Sequence, residues 1–281
     1  MHSSEYYHRF ARVLKSKYAN IDLDLIMVSD NNAFNLLVSR RKKLFSEIPM
    51  VFCGINDFRP EMLRDTEKIT GVVESPSPAD TLRVMLALKP DTKKIYVIND
   101  YLTTGRAWTR DMRQKLEPFR HRVDIEYNKN LMLKELRQKI RSFKPGTMIL
   151  LGAYYADRSG DYFTYEQVGT RITGISPVPV FCLLRFNLRE GVVGGKVVEG
   201  YTQGKFMASM AERILSGESP ENIPVRHKGA NRFVFDNREL DSYGMSKNML
   251  PPGSVIINAP ISFYSQYKGL TWAAAVIAAT L

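Results

Sequence analysis

The feature that most constrains the fold is a short apolar run, followed at once by glycine or small polar residues, that recurs along the chain. Residues 48–58 read IPMVFCGINDF, and the same pattern returns in LDLIMVSDNNAF, KKIYVINDYLTTG and MILLGAYYADRSG. Runs of this kind are typical of buried parallel strands that lead into loops. In open α/β sheets, ligands bind just beyond the carboxyl ends of such strands. The sequence therefore predicts polar loop ends that line one cleft.

The segments between these runs have helical periodicity, and they indicate the fold class. Strands that alternate with helices of this length argue for parallel βαβ units, so we predict an α/β protein with parallel sheets. A length of 281 residues fits one large domain or two smaller ones. After Leu184 the alternation changes, because residues 191–198 form the glycine-containing apolar run GVVGGKVV.

The basic charge of the chain raises the question of its partners. The formal net charge is +11, which is compatible with a nucleic-acid or anionic membrane partner. However, Lys and Arg are spread over every predicted helix with Asp and Glu between them, and the densest run covers only residues 40–43. We therefore predict that nucleic acid is not a partner.

Known catalytic and cofactor motifs do not match this sequence. GVVGGK fails as a phosphate loop, because its spacing is short and Val197 stands where a magnesium-binding hydroxyl is needed. Cys53 and Cys182 lie inside apolar runs, and the four histidines lie outside the strand-end loops, so no nucleophile–base pair is apparent. We predict neither cofactor, metal nor enzymatic activity. A strand-end carboxylate of strongly raised pKa beside a second polar group would favour the α/β enzyme alternative.

The candidate ligand-binding residues are those that follow the predicted strands. Each alone is better explained as a helix cap or loop residue than as a ligand contact, but together they form a polar rim with aromatic rings that suits a small polar ligand. The predicted set is Ser29, Asp30, Asn31, Gly54, Asn56, Asp57, Glu74, Asn99, Asp100, Tyr154, Tyr155, Arg158, Arg185 and Phe186.

The types of these residues point to an amino-acid-like solute among other polar ligands. Asp57 and Asp100 suit an amine, and Arg158 and Arg185 suit a carboxylate. The aromatic side chains of Tyr154, Tyr155 and Phe186 suit a ring.

The last residues have a composition typical of a membrane segment. Residues 269–281 carry no charge, and Tyr267, Lys268 and Trp272 flank or begin this run. Aromatic residues and lysine before an apolar run mark a membrane interface, although about 20 apolar residues are needed to span a bilayer. We predict that residues 268–281 are the start of a transmembrane helix, and a terminal helix docked on the domain is the alternative.

The order of these motifs resembles a known family. IPMVFCGINDF, ITGVVE, a helix ending in LKP before KKIYVIND, and the late run GGKVVEGYTQGKFMASMAERILSGESPENIPV are similar to the ABC-transporter substrate-binding-protein-like family. The similarity is greatest to the extracytoplasmic sensor domains of membrane-bound histidine kinases and related signalling proteins. It extends from about residue 4 to residue 260.

The resemblance implies the type I periplasmic-binding-protein fold, in which two Rossmann-like lobes are joined by crossing segments. Lobe one is expected to contain residues 1–73 and 189–222 and to be incomplete at its N-terminus. Lobe two is expected to contain residues 77–184 and 227–260. The crossings are then expected at residues 74–76, 185–188 and 223–226.

The resemblance also implies the function. The chain is expected to close on a small solute on the periplasmic side of the bacterial inner membrane and to signal through the membrane helix to a cytoplasmic kinase or similar output. A homodimer is one candidate assembly. The alternative is a substrate-binding receptor that delivers a solute to an ABC transporter.

Overall fold

The computed structural model describes residues 4–64, 66–189, 191–260 and Trp272. Its α-helices are α1 Ser4–Lys17, α2 Asn31–Ser39, α3 Pro78–Leu88, α4 Thr103–Leu116, α5 Leu133–Arg141, α6 Tyr165–Thr173, α7 Gly200–Leu215 and α8 Asn237–Ser242. Its strands are β1 Ile26–Ser29, β2 Met50–Ile55, β3 Ile69–Val73, β4 Lys94–Ile98, β5 Asp124–Tyr127, β6 Thr147–Leu151, β7 Val180–Cys182, β8 Val192–Val198, β9 Asn231–Asp236 and β10 Val255–Ile257. The predicted α/β class with parallel sheets is confirmed.

The smaller sheet forms the centre of lobe one. Its described strands run in the order β1-β2-β3, and all are parallel. On one face Phe34 of α2 packs edge-on against Phe52 of β2, with ring centroids 4.9 Å apart. On the other face Met210 and Ile214 of α7 pack against Val51. Helices therefore cover both faces, as parallel sheets require.

The larger sheet forms the centre of lobe two. Its strand order is β10-β9-β8-β7-β6-β4-β5, and only the pair β8–β9 is antiparallel among its described strands. Helices α3 and α4 pack on one face around Met85 and Met112, while α5 and α6 pack on the other around Leu136 and Val168. The carboxyl ends of β4, β6 and β7 lie side by side, because these neighbouring strands are parallel.

The chain crosses between the two sheets at three places. Residues 74–77 lead from β3 to α3, and Glu199 leads from β8 to α7. Residues 224–230 lead back from lobe one to β9, and Arg226 pairs with Val72 beside β3 on the way.

Two predicted boundaries are corrected by this topology. Residues 189–198 were expected in lobe one, but β8 is paired with β7 and β9 in the large sheet. The reason is that β8 is buried over almost its whole length and closes the parallel part of that sheet. Residues 185–188 were expected to cross, yet Arg185–Asn187 form a 3-10 turn that connects β7 to β8 within lobe two. The crossing is at Glu199 instead.

The predicted membrane segment, residues 268–281, lies outside the described residues except for Trp272, which is exposed. In the part of the chain that is described, the helices are too short or too polar to cross a bilayer.

Two glycines of GVVGGKVV, Gly194 and Gly195, lie in strand β8, and Gly194 provides a test of the β8–β9 contact. Gly194 has a φ of +137°, and a methyl group on it would lie 2.2 Å from the carbonyl oxygen of Val234. We expect Gly194→Ala to lower the free energy of unfolding by about 3 kcal/mol, because the backbone of β9 must move.

Gly204→Ala is the matched control. Gly204 lies inside α7 and has open space around it, so alanine there is expected to raise the free energy of unfolding by about 0.5 to 1 kcal/mol. Urea denaturation followed by circular dichroism measures both. Equal effects of the two substitutions would contradict the β8–β9 packing.

Candidate functional site

The loops after β1 and β2 are tied together by a pair of asparagines. The Asn31 side chain donates to the carbonyl oxygen of Asn56 at 2.9 Å, and the Asn56 backbone N–H donates back to the Asn31 Oδ1 at 3.0 Å. This reciprocal pair fixes the polar ends of two neighbouring strands at the side of lobe one that faces lobe two. Both residues were predicted from the sequence to follow strands in this way.

Asp30 lies between β1 and α2 in an unusual backbone conformation. Its φ is +69°, and its N–H donates to the carbonyl oxygen of Cys53 at 3.1 Å. Its side chain is exposed and makes no hydrogen bond to cap α2. Helix capping therefore does not explain the carboxylate. Strained residues of this kind concentrate at functional sites.

Glu74 follows β3 at the first crossing and faces the same point as Asp30. The Asp30 Oδ1 and the Glu74 Oε2 each lie 3.9 Å from the position where a side chain on Gly54 would begin. Burial raises the pKa of Glu74 to about 7; the charge of Asp30 adds to the rise, while a hydrogen bond with Asn56 opposes it. We call Asp30, Gly54, Asn56 and Glu74 the acidic wall.

An aromatic cluster from lobe two stands opposite. The hydroxyl of Tyr165 donates to that of Tyr155 at 2.6 Å, and the two rings meet edge to face at 4.6 Å between centroids. Phe186 stacks on Tyr165 at 5.2 Å and is 51% exposed. Tyr155 follows β6, Tyr165 begins α6 and Phe186 follows β7, so three elements build this surface. We call these three residues the aromatic wall.

The two walls influence each other electrostatically. Burial raises the pKa of both tyrosines, and the negative charge of Glu74 raises it further. The charge of Asp30 also acts on Tyr165. A geometric link joins the walls: the tip of the Phe186 ring lies 3.9 Å from the position where a side chain on Gly200 would begin, and Gly200 begins the helix α7 whose Gln203 holds Gly54 of the acidic wall.

Further contacts join the lobes around this cleft. The indole N–H of Trp108 on α4 donates to the Asn56 Oδ1 at 2.9 Å. Lys115, about two turns further along α4, donates to the Ser75 hydroxyl at 3.2 Å. At the second crossing, Glu199 lies 3.9 Å from Arg185 and 3.9 Å from Arg232. A cavity of about 660 Å³ opens beside Glu74, and Asp57, Trp108, Lys196 and His227 are among its lining residues.

Two predicted site residues, Asn99 and Asp100, form hydrogen bonds inside lobe two. Asn99 is buried, and its Oδ1 accepts the Ala153 N–H at 2.9 Å. Asp100 is also buried and accepts the N–H groups of Tyr155 at 2.8 Å and Leu102 at 3.0 Å. These side chains hold the strand ends together, which removes them as direct ligand contacts.

Two other predicted residues point away from the cleft. Tyr154 is 2% exposed and packs in the core beside α5 and α6, on the opposite side of its strand end from Tyr155. Arg158 lies on the surface, where it pairs with Glu135 at 3.0 Å.

Ser29 ends β1 with an exposed side chain, and Asp57 is exposed, lies 3.8 Å from Arg59 and lines the cavity.

Three residues of the cleft escaped the sequence interpretation because they lie on helices. Trp108 and Tyr165 have apolar bodies at helical spacing, which reads as core packing. Gln203 of α7 accepts the Gly54 N–H at 3.4 Å and donates to the Val73 carbonyl at 3.3 Å. Its polarity at a buried helix position was the one available signal.

The two cysteines and the possible metal ligands bear on the enzyme alternative. Cys53 and Cys182 are free and buried, and burial raises the pKa of both thiols, that of Cys182 to about 12. In the described part of the chain, His, Cys, Asp and Glu form no cluster that would hold a metal ion. Glu74 does meet the stated condition of a strand-end carboxylate with a raised pKa beside a polar group.

The raised pKa of Glu74 predicts a pH-dependent stability. Between pH 4.5 and about 7 the folded protein holds a proton on Glu74 that the unfolded chain releases, so stability falls as pH rises through this window and stays lowered above it. We expect Glu74→Gln to be more stable than the parent protein at pH 8 by about 1 to 3 kcal/mol, and by much less at pH 5.

Urea denaturation at the two pH values measures this difference. Asp57→Asn, which removes an exposed carboxylate from the neighbouring loop, controls for the loss of one negative charge. The same gain from Glu74→Gln at pH 5 and pH 8 would contradict the buried carboxyl.

Solved structures similar to this chain share its architecture. A ligand-free, open substrate-binding protein with adhesive properties from Clostridium difficile aligns with a TM-score of 0.67 at 16% identity, over 89% of this chain and 83% of that one. An ABC domain from Streptococcus pneumoniae in complex with L-Trp aligns with a TM-score of 0.60 at 16% identity, over 92% and 88%. A conserved domain protein from Vibrio cholerae aligns with a TM-score of 0.59 at 16% identity, over 89% and 83%.

Comparisons by sequence add no relative. No family model and no curated protein matches the chain. At 16% identity the structural matches speak for the fold alone. The chain therefore has the two-lobed α/β fold of the substrate-binding proteins of ABC transporters, which is the type I periplasmic-binding-protein fold.

Proposed function

We propose that this protein binds a small solute between its two lobes and closes on it, as an extracytoplasmic binding protein. The observation that carries the proposal is the pairing of the acidic wall of lobe one with the aromatic wall of lobe two across one cleft. Partly buried polar groups beside exposed rings are the features of small-molecule sites. The similar domain from Streptococcus pneumoniae, solved with L-Trp, supports a small organic ligand.

Closure is the step that would transmit binding. Lobe one and lobe two are connected by three crossings, and the contacts of Trp108 and Lys115 across the interface hold this structure together. A ligand that touches both walls stabilises the closed arrangement by its differential affinity for closed over open. The crossing segments are suited to act as the hinge, because a few residues in such segments can absorb the backbone rotation that closure requires.

The output of this closure has two candidates. In a sensor, closure would change the position of the segment that follows residue 260 and signal through a membrane helix to a kinase or similar domain. In a transport receptor, the closed protein would deliver its solute to a permease. The uncharged run at residues 269–281, flanked by Tyr267 and Lys268, favours the sensor. Dimerisation of the protein would suit a sensor, and we propose it together with the sensor output.

Isothermal titration calorimetry tests the binding proposal. The panel contains amino acids, amines, small carboxylates, nucleobases and sugars, and we expect saturable 1:1 binding by one class. Glu74→Gln and Phe186→Ala should each weaken that binding at least tenfold, while Arg158→Ala, on the outer surface, should leave it within twofold. NMR of the recovered ligand should show it unchanged. Turnover would favour the enzyme alternative, and no binder in any class would contradict the proposal.

Liposome flotation tests the membrane proposal. The full chain should float with phosphatidylcholine vesicles at 0.15 M salt. These vesicles contain no anionic lipid, so electrostatic attraction to the net charge of +11 cannot explain the flotation. A variant that ends at Pro260 should stay at the bottom of the gradient. If the full chain also stays there, the sensor mechanism loses its anchor and the receptor alternative is favoured.

A further inference from the structure

Two carboxylates face one point of the cleft, although the protein as a whole is basic. The net charge of the chain is +11, yet Asp30 and Glu74 face one point beside Gly54 on the acidic wall. The charges that act on Tyr165 are those of Glu74 and Asp30 in lobe one and of Asp100 in its own lobe, and all are negative. Charges elsewhere on the surface are screened within about 8 Å at physiological salt, so these carboxylates set the local field.

Two of the basic residues that line the cavity beside Glu74 have acidic partners, since Lys115 lies 2.9 Å from the Asp111 carboxylate and Lys196 lies 2.7 Å from that of Asp80. Arg185 is also paired. Arg185 follows β7 beside the aromatic wall, but its guanidinium faces Glu199 at 3.9 Å, and Arg232 lies at the same distance from that carboxylate. Glu199 is itself largely buried, with a side chain 17% exposed, so it is a fixed counter-ion for Arg185. A ligand carboxylate in the cleft would have to compete with Glu199 for Arg185 while lying close to two other acids.

The aromatic wall also favours a cationic ligand. Phe186 is 51% exposed and stacks on Tyr165, so the cleft offers ring faces to a ligand. Ring faces attract organic cations through the ring quadrupole and also stack with other rings. An ammonium group beside Asp30 and Glu74 and an apolar body against Phe186 and Tyr165 would satisfy both walls.

From this arrangement we infer that the ligand is a small organic amine with an apolar or aromatic body and without a carboxylate. The inference rests on the proposed function, since it names the ligand class of the same cleft. It differs from an amino-acid-like solute in one group only. An α-carboxylate near Asp30 and Glu74 is repelled, because like charges in a partly desolvated site interact strongly.

Matched pairs of compounds test this inference by calorimetry at pH 8. Tryptamine and L-tryptophan differ only in the α-carboxylate, as do phenethylamine and L-phenylalanine, and indole-3-acetate carries the carboxylate without the amine. We expect each amine to bind at least tenfold more tightly than its amino acid, and indole-3-acetate to bind more weakly than either indole partner. Tighter binding of either amino acid or of indole-3-acetate would overturn the inference.

Substitutions in the acidic wall give a second readout. Glu74→Gln and Asp30→Asn should each weaken tryptamine binding at least tenfold; asparagine tolerates a positive φ, so the second variant keeps the local backbone. Asp22→Asn is the control, because Asp22 is exposed and precedes β1, at the opposite end of the small sheet from the acidic wall. It should change the affinity less than twofold. Equal effects of all three substitutions would overturn the assignment of the ammonium site.

The outcomes separate the inference from the function on which it rests. Binding of amino acids or carboxylates in preference to amines contradicts the ligand class and leaves the proposed function standing. Failure of every compound in the wider panel contradicts both.

Discussion

Burial of the Glu74 carboxyl at the first crossing, with another carboxylate as its charged neighbour, is the constraint on which the account of this protein depends. Desolvation raises the pKa of Glu74 to about 7, and Asp30 adds to the rise. An acid in such a place destabilises the folded protein when it ionises, unless a positive group arrives to pair with it. The structure thus places a buried carboxyl group, whose ionised form would be stabilised by a cation, where the two lobes meet.

The surrounding fold keeps that arrangement in place. The reciprocal hydrogen bonds of Asn31 and Asn56 fix two loop ends, and Gln203 ties Gly54 to β3 from helix α7. Gly54 matters because the absence of a side chain leaves room between the two carboxylates. On the other side, the hydrogen bond between Tyr155 and Tyr165 holds two rings at right angles. The cleft is therefore built from polar contacts inside each lobe, and the hydrogen bond from Trp108 to Asn56 joins the two.

The sequence predicted one wall better than the other, for a physical reason. Strand ends in the small sheet leave Asp30, Asn56 and Glu74 at the cleft, so the rule of polar residues after parallel strands located them. In the large sheet, Asn99 and Asp100 follow a central strand, and their side chains turn inward to bond the neighbouring loop. Position after a strand cannot show whether a polar side chain faces the cleft or bonds a neighbouring loop, because polar residues are favoured at strand ends in both cases.

Other differences arise from contacts that are distant in sequence. The glycine-rich strand β8 was assigned to lobe one because the resemblance placed a crossing before it, and only its pairing with β7 and β9 shows otherwise. Trp108 and Tyr165 lie on helices, where periodicity indicates core packing and does not show that one edge of the ring reaches the cleft. The α/β class, by contrast, followed from local alternation alone.

A crystal structure of the protein with its tightest-binding compound tests the central claim most directly. We expect ligand density in the cleft, with a polar atom of the ligand within hydrogen-bonding distance of Glu74 or Asp30 and its apolar part against Tyr165 and Phe186. Density instead in the cavity lined by Asp57, Lys196 and His227, or on the surface of one lobe, would contradict it.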